Sequence, residues 1–167
     1  MKSLYFKIIF LALLSFSSGN IYSQKNKLSM CDSTGTMPPF KYYYLDGTEF
    51  TSENISKKNT TIFIYFKNDC PYCNKEAAIV SENIEDLNSI DFIFISREDS
   101  TTIQNFAASH KLNDKANVKF LRDKDQVYYN YCTAQYTPSI HIYDKHKKLI
   151  SYSQGTIKKE GLLKYVK

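Results

Sequence analysis

The chain has 167 residues, 43% of them apolar and 15% aromatic, which is enough for one hydrophobic core and too short for two comfortable domains. Its formal charge of +5 is mildly basic. The lysine doublets Lys57-Lys58, Lys147-Lys148 and Lys158-Lys159 are scattered along the chain, with no single basic face interleaved with stacking aromatics, which argues against a nucleic-acid partner.

The first 23 residues read as a secretory signal peptide: Lys2 and Lys7 are positive, 8–16 are apolar, and Ser17, Ser18 and Gly19 open a small, polar region. Cleavage fits after Gly19 or Ser23. Even counted from Leu4, the apolar run is well short of the roughly 20 residues of a spanning helix, so the membrane is met only during export. A lipid anchor needs a cysteine directly behind the apolar run, and Cys31 lies well beyond it. The expected location is therefore periplasmic or secreted, where disulfides persist.

Residues 24–39 are polar and end in Pro38-Pro39, an extended lead-in. The aromatic run 40–45, the turn Asp46-Gly47 and the return 48–50 predict a β-hairpin. Residues 60–66 suit a buried strand, and from Asn74 onward Ala77, Ala78, Val80, Ile84 and Leu87 recur at helical spacing. A central strand follows over 91–96, with both faces apolar. Then comes a short helix over 100–110, capped by Ser100, with Ile103, Phe106 and Ala107 inward.

A short strand over 118–121 leads to a helical turn at 126–131. Thr137-Pro138 introduces a strand over 139–143, in which His141 is expected to face outward. A polar turn at 144–148, an antiparallel strand over 149–152 and a helix over 158–166 complete the chain. This order predicts an α/β fold: a central mixed β-sheet flanked by α-helices, with an N-terminal β-hairpin extension, in one domain over 40–167.

A strand, a Cys-x-x-Cys and a helix follow one another without a gap at Cys70-Pro71-Tyr72-Cys73. A thiolate at a helix start meets unpaired N–H groups and the positive end of the macrodipole, which lowers its pKa from about 8.5 towards about 7. Cys70 occupies that place, and Cys73 lies one turn further on. The pair suits nucleophilic attack by Cys70 on a disulfide and resolution of the mixed disulfide by Cys73. Pro71 fits the first helical position and stiffens the turn. Glu76, three residues past Cys73, is a candidate to exchange a proton with the resolving thiol; the alternative is an exposed helix glutamate.

With these motifs the chain resembles the thioredoxin superfamily, in particular its secreted TlpA/ResA-like thiol–disulfide oxidoreductases. The resemblance covers 40–167 and rests on Phe63 to Phe66 leading into Cys70-Pro71-Tyr72-Cys73, on Cys73-Asn74-Lys75-Glu76, and on Thr137-Pro138-Ser139-Ile140 before Ile142-Tyr143-Asp144. It implies a thioredoxin-like fold in which Thr137-Pro138 is a cis bond facing the dithiol and offers backbone to an incoming peptide. Cys70, Cys73 and Glu76 are then the candidate catalytic residues, and Pro71, Tyr72, Thr137 and Pro138 the candidate substrate contacts. No cofactor or metal is implied. The implied partners are exported proteins bearing thiols or disulfides, and a redox partner that recycles the dithiol.

Two departures stand out: Asp69 replaces the tryptophan usual before the first cysteine, and Ile64 replaces a buried aspartate. A negative charge at Asp69 is expected to raise the Cys70 pKa against the helix dipole. The tetrad itself is shared with glutaredoxins, but the leader, the hairpin and the absence of Gly-Gly after Thr137-Pro138 favour the secreted branch.

Other readings of the cysteines are weaker. A zinc site would have to draw on Cys31, Cys132, His110, His141 or His146, none in a paired ligand spacing, and covalent haem needs a histidine where Asn74 stands. A structural Cys70–Cys73 bond closes too short a loop to stabilise much. Cys31 and Cys132 are left open as a pair, as independent thiols, or as sulfurs communicating with the dithiol. The expected function is thiol–disulfide exchange; the alternative is a thioredoxin-fold binding or adaptor protein with a slow or structural dithiol.

Overall fold

The structure, a computed structural model, describes residue 31, residues 35–132, residue 134 and residues 136–166. The expected signal peptide and the first part of the lead-in lie outside the described residues. The elements are β1 (Lys41–Tyr43), β2 (Glu49–Thr51), β3 (Thr60–Tyr65), α1 (Pro71–Glu82), β4 (Ile90–Ser96), α2 (Ser100–Ser109), β5 (Val118–Arg122), α3 (Val127–Tyr131), β6 (Ser139–Tyr143), β7 (Leu149–Gln154) and α4 (Lys159–Leu163).

The strands form one mixed sheet in the order β2-β1-β5-β4-β3-β6-β7. β3, β4 and β5 are parallel neighbours, as crossovers through α1 and α2 require, while β6 runs antiparallel to β3 and β7 to β6. Every residue of β3 is buried, because the sheet is covered on both faces. Ile62, Ile64 and Phe66 pack with Ala77 and Val80 of α1. Phe63 and Tyr65 point to the other face and join Tyr42, Phe50, Tyr128 and Tyr143. β7 alternates between half-buried and exposed, as an edge strand with one wet face does.

The hairpin β1–β2 forms as expected and extends the sheet beyond β5. Its turn is closed by Asp46, whose carboxylate accepts from the Thr48 amide (2.9 Å) and hydroxyl (2.7 Å), and Gly47 supplies the positive φ of +88°.

α1 starts at Pro71, which takes the first helical position expected of it, behind Cys70 as the cap. Three expectations need correction. α2 is capped by Asp99, whose carboxylate accepts from the Thr102 amide at 3.0 Å, and Ser100 is its first helical residue. α4 covers only Lys159–Leu163. His141 is buried, its ring between those of Tyr128 and Tyr152, because β6 is covered on both faces. Cys31 and Cys132 form a disulfide across 101 residues of sequence, tying the lead-in to the end of α3. That bond also removes both sulfurs from the zinc reading.

Candidate active site

β3 delivers the chain to the start of α1, and Cys70 is the helix N-cap, its backbone extended (φ −88°, ψ 115°) while its carbonyl already accepts from Asn74 at 3.1 Å. The Cys70 sulfur accepts from the Cys73 amide at 3.3 Å, so the thiol takes the capping place that serine or aspartate usually fills. Asn74 fastens this turn. Its Nδ2 donates to the carbonyls of Cys70 and Asn68, both at 3.0 Å, and its Oδ1 lies 3.0 Å from Nε2 of His110 at the end of α2. Ahead of the dithiol, the Asn68 amide donates to the Glu98 carboxylate at 3.0 Å.

Thr137-Pro138 is a cis bond and faces the dithiol: the Thr137 carbonyl oxygen lies 3.4 Å from the Cys70 sulfur. The Pro138 carbonyl is taken by the Gly155 amide at 2.9 Å, and Pro138 is buried. Thr137 is half-buried and is therefore the more accessible of the two. Pro71 is exposed, and Tyr72 stands out at 63% exposure beside the sulfur.

The two thiols are pushed in opposite directions. Partial burial of Cys70 favours the neutral thiol, but hydrogen bonding from Cys73, from the Thr137 side chain and from the Cys73 and Tyr72 amides outweighs it, and the Cys70 pKa falls below its ordinary value. Cys73 is 1% exposed, and burial, aided by its interaction with Cys70, pushes its thiol up to about 12. Asp69, expected to oppose this lowering in part, is exposed, where water screens its charge.

Glu76 is 0% exposed, which rules out the reading as a solvent-facing helix glutamate. One carboxylate oxygen accepts from the Ile157 amide at 2.7 Å, and the other is buried without a hydrogen-bond partner. Burial pushes its pKa up to about 7, held back partly by the Ile157 bond. Cys73 and Glu76 sit three apart on one helix face, where side chains are neighbours.

Sequence reasoning gave no role to Asn74, Glu98, Gly155 or Ile157; Asn74 binds Cys70 and Asn68 locally and His110 across the fold, and the other three act only through contacts far apart along the chain, which no spacing rule announces. Of the dithiol, Cys70 is partly exposed and Cys73 is buried. A hollow of about 620 Å³ is lined by the hairpin turn, α2 and β5, with no dithiol residue among its walls.

A mixed sheet whose central strand feeds a helix-capping dithiol, opposite a cis-proline segment, defines a thioredoxin-superfamily domain. The chain belongs to the AhpC/TSA family, which matches residues 34–152. Among solved structures it is similar to a secreted Mycobacterium tuberculosis disulfide oxidoreductase homologous to E. coli DsbE, at 21% identity and a TM-score of 0.64, covering 76% of this chain and 93% of that one. It is also similar to DsbF of M. tuberculosis (20%, 0.64, 76% and 92%) and to StoA from Bacillus subtilis (13%, 0.60, 78% and 97%). Among curated proteins, none matches the chain significantly.

Proposed function

We propose that the chain is a thiol–disulfide oxidoreductase acting on exported proteins, with Cys70 as nucleophile and Cys73 as resolving thiol. What carries the reading is the opposition of the two sulfurs: Cys70 is partly accessible with a lowered pKa, and Cys73 is buried and held protonated. A slow or purely structural dithiol gives no reason for that asymmetry, which weighs against the adaptor alternative.

In the reductive direction, the Cys70 thiolate attacks a client disulfide. The Cys70–client S–S bond forms, the client S–S bond breaks, and one client thiolate leaves. Cys73 then passes its proton to the Glu76 carboxylate and attacks the Cys70 sulfur. The Cys70–Cys73 bond forms, the mixed disulfide breaks, and the second client thiol leaves; the client has gained two electrons and the domain has lost them. An external dithiol partner returns the electrons. The same steps reversed oxidise a client, and the direction follows the reduction potential, where about 30 mV corresponds to about 1.4 kcal/mol. Tyr72 and Thr137, flanking the sulfur, would meet the client chain, with Pro71 and Pro138 shaping the groove.

Export to the periplasm or beyond follows from the leader proposed over 1–23, and the Cys31–Cys132 disulfide suits that compartment. The test is a redox titration of the purified chain against dithiothreitol mixtures, with alkylation and mass readout, together with insulin reduction. A two-electron transition lost in Cys70→Ser supports the reading. A dithiol that fails to exchange with any disulfide in the wild-type chain overturns it.

A further inference from the structure

On the face of the sheet away from α1, polar side chains are buried together next to the Thr137-Pro138 segment. Tyr128 of α3 is 2% exposed and stacks flat on Tyr65 of β3, ring centroids 5.0 Å apart and planes 2° apart. Its hydroxyl lies 2.6 Å from Nδ1 of His141 and 3.3 Å from the carbonyl oxygen of Ser139, the residue directly after Pro138.

A phenol has one proton to give, so it donates to one acceptor only. Both contacts are hydrogen bonds in one arrangement: Nδ1–H of His141 donates to the Tyr128 oxygen, and the Tyr128 O–H donates to the Ser139 carbonyl. Burial pushes the Tyr128 phenol well above its ordinary range, so the proton stays in place at neutral pH.

Tyr128 itself is anchored on both sides. The Asp123 carboxylate accepts from the Val127 amide at 2.7 Å and the Tyr128 amide at 2.9 Å, and the end of α3 is fixed by Cys132 in its bond to Cys31. The hydroxyl thus links α3 to the carbonyl of Ser139, the first residue of β6 and the one directly after Pro138.

We propose that Tyr128 is a positioning residue: through the Ser139 carbonyl it holds Thr137-Pro138 against Cys70 and so sets how a polypeptide disulfide is presented to the sulfur. The proposal rests on the exchange reading and makes a selective demand. A small disulfide needs only the Cys70 sulfur, whereas a polypeptide must also lie along Thr137, whose carbonyl is 3.4 Å from that sulfur.

Tyr128→Phe keeps the ring and its stacking and removes only the hydroxyl. In dithiothreitol-driven turnover by the full chain, this variant raises KM for insulin about tenfold, the scale of one lost buried hydrogen bond, while kcat changes less than about twofold. Turnover of hydroxyethyl disulfide, which feels Thr137 only through its bond to the Cys70 sulfur, changes less than about twofold. An unchanged insulin KM overturns the proposal, as does a parallel loss on both substrates. A wild-type chain inactive on both disulfides sinks the exchange reading, and this one with it, which separates the two failures. Should the variant not fold, the His141 imidazole nitrogen resonances of the wild-type chain decide: a neutral ring protonated on Nδ1 supports the arrangement, and one protonated on Nε2 overturns it.

Discussion

The Cys70 sulfur and the Thr137 carbonyl meet at 3.4 Å although 67 residues separate them in sequence. The sheet register makes this contact. β3 and β6 are antiparallel neighbours with Tyr65 opposite Ser139, so the strand that ends just before the dithiol lies beside the strand that begins just after the proline. The site is therefore placed by a ladder of backbone hydrogen bonds buried on both faces, a rigid support for a reactive sulfur.

The opposed thiols predict selective alkylation. With its pKa near 12, Cys73 is ionised in about one molecule in a hundred thousand at pH 7, while Cys70 is ionised far more often. Iodoacetamide at neutral pH should modify Cys70 and leave Cys73 untouched in the reduced chain, as read by peptide mass. Cys73→Ser should accumulate a stable mixed disulfide through Cys70, and Cys70→Ser should form none. Equal labelling of both cysteines contradicts the arrangement.

The Cys31–Cys132 bond closes a loop of 101 residues, and both sulfurs are buried. In the chain-entropy account such a loop contributes about 4–5 kcal/mol by restricting the unfolded chain. Replacing both cysteines by alanine should therefore lower the urea midpoint by an amount equivalent to about 3–5 kcal/mol. The Cys70 labelling rate should stay within about twofold, since the bond lies on the face of the sheet away from α1. A stability change below about 1 kcal/mol contradicts this account of the bond.

Much of this site was legible in the sequence because its parts are local: the apolar run of β3, the Cys-x-x-Cys, the helical spacing behind it and the Thr137-Pro138 that opens β6. The pairing of Cys31 with Cys132 was one of three options, since sequence does not give connectivity. His141 was misplaced because a strand buried on both faces gives its polar residue no periodic mark, and a partner such as Tyr128 sits on another element. The Ile157 amide that binds Glu76 is 81 residues away from it, a contact only the folded chain supplies.

The cap of α2 gives a smaller, sharper test. Asp99 accepts from the Thr102 amide at 3.0 Å and the Thr102 hydroxyl at 2.8 Å, which holds its carboxyl below the usual range. Asp99→Ala should lower the urea midpoint at pH 7 clearly, whereas Ser100→Ala should leave it nearly unchanged. The reverse ranking would restore Ser100 as the cap.

Glu76 carries the pH dependence. Its folded pKa of about 7 lies above the ordinary carboxyl value of 4.5, so between those limits the folded state binds a proton that the unfolded state has released. Stability therefore falls as pH rises through this window, full below pH 4.5 and levelling off above about 7, by about 3 kcal/mol. In Glu76→Gln that downward slope should vanish, leaving the variant relatively more stable at pH 8 than at pH 5, as urea midpoints of the reduced chain would read. Catalysis should move the other way. Without a carboxylate to take the proton of Cys73, whose thiol is held near 12, resolution of the mixed disulfide at pH 7 should slow by about 10²-fold, the usual scale of a lost general base, while attack by Cys70 is unchanged. A variant that keeps both the stability slope and the resolution rate of the wild type would remove Glu76 from the proton path.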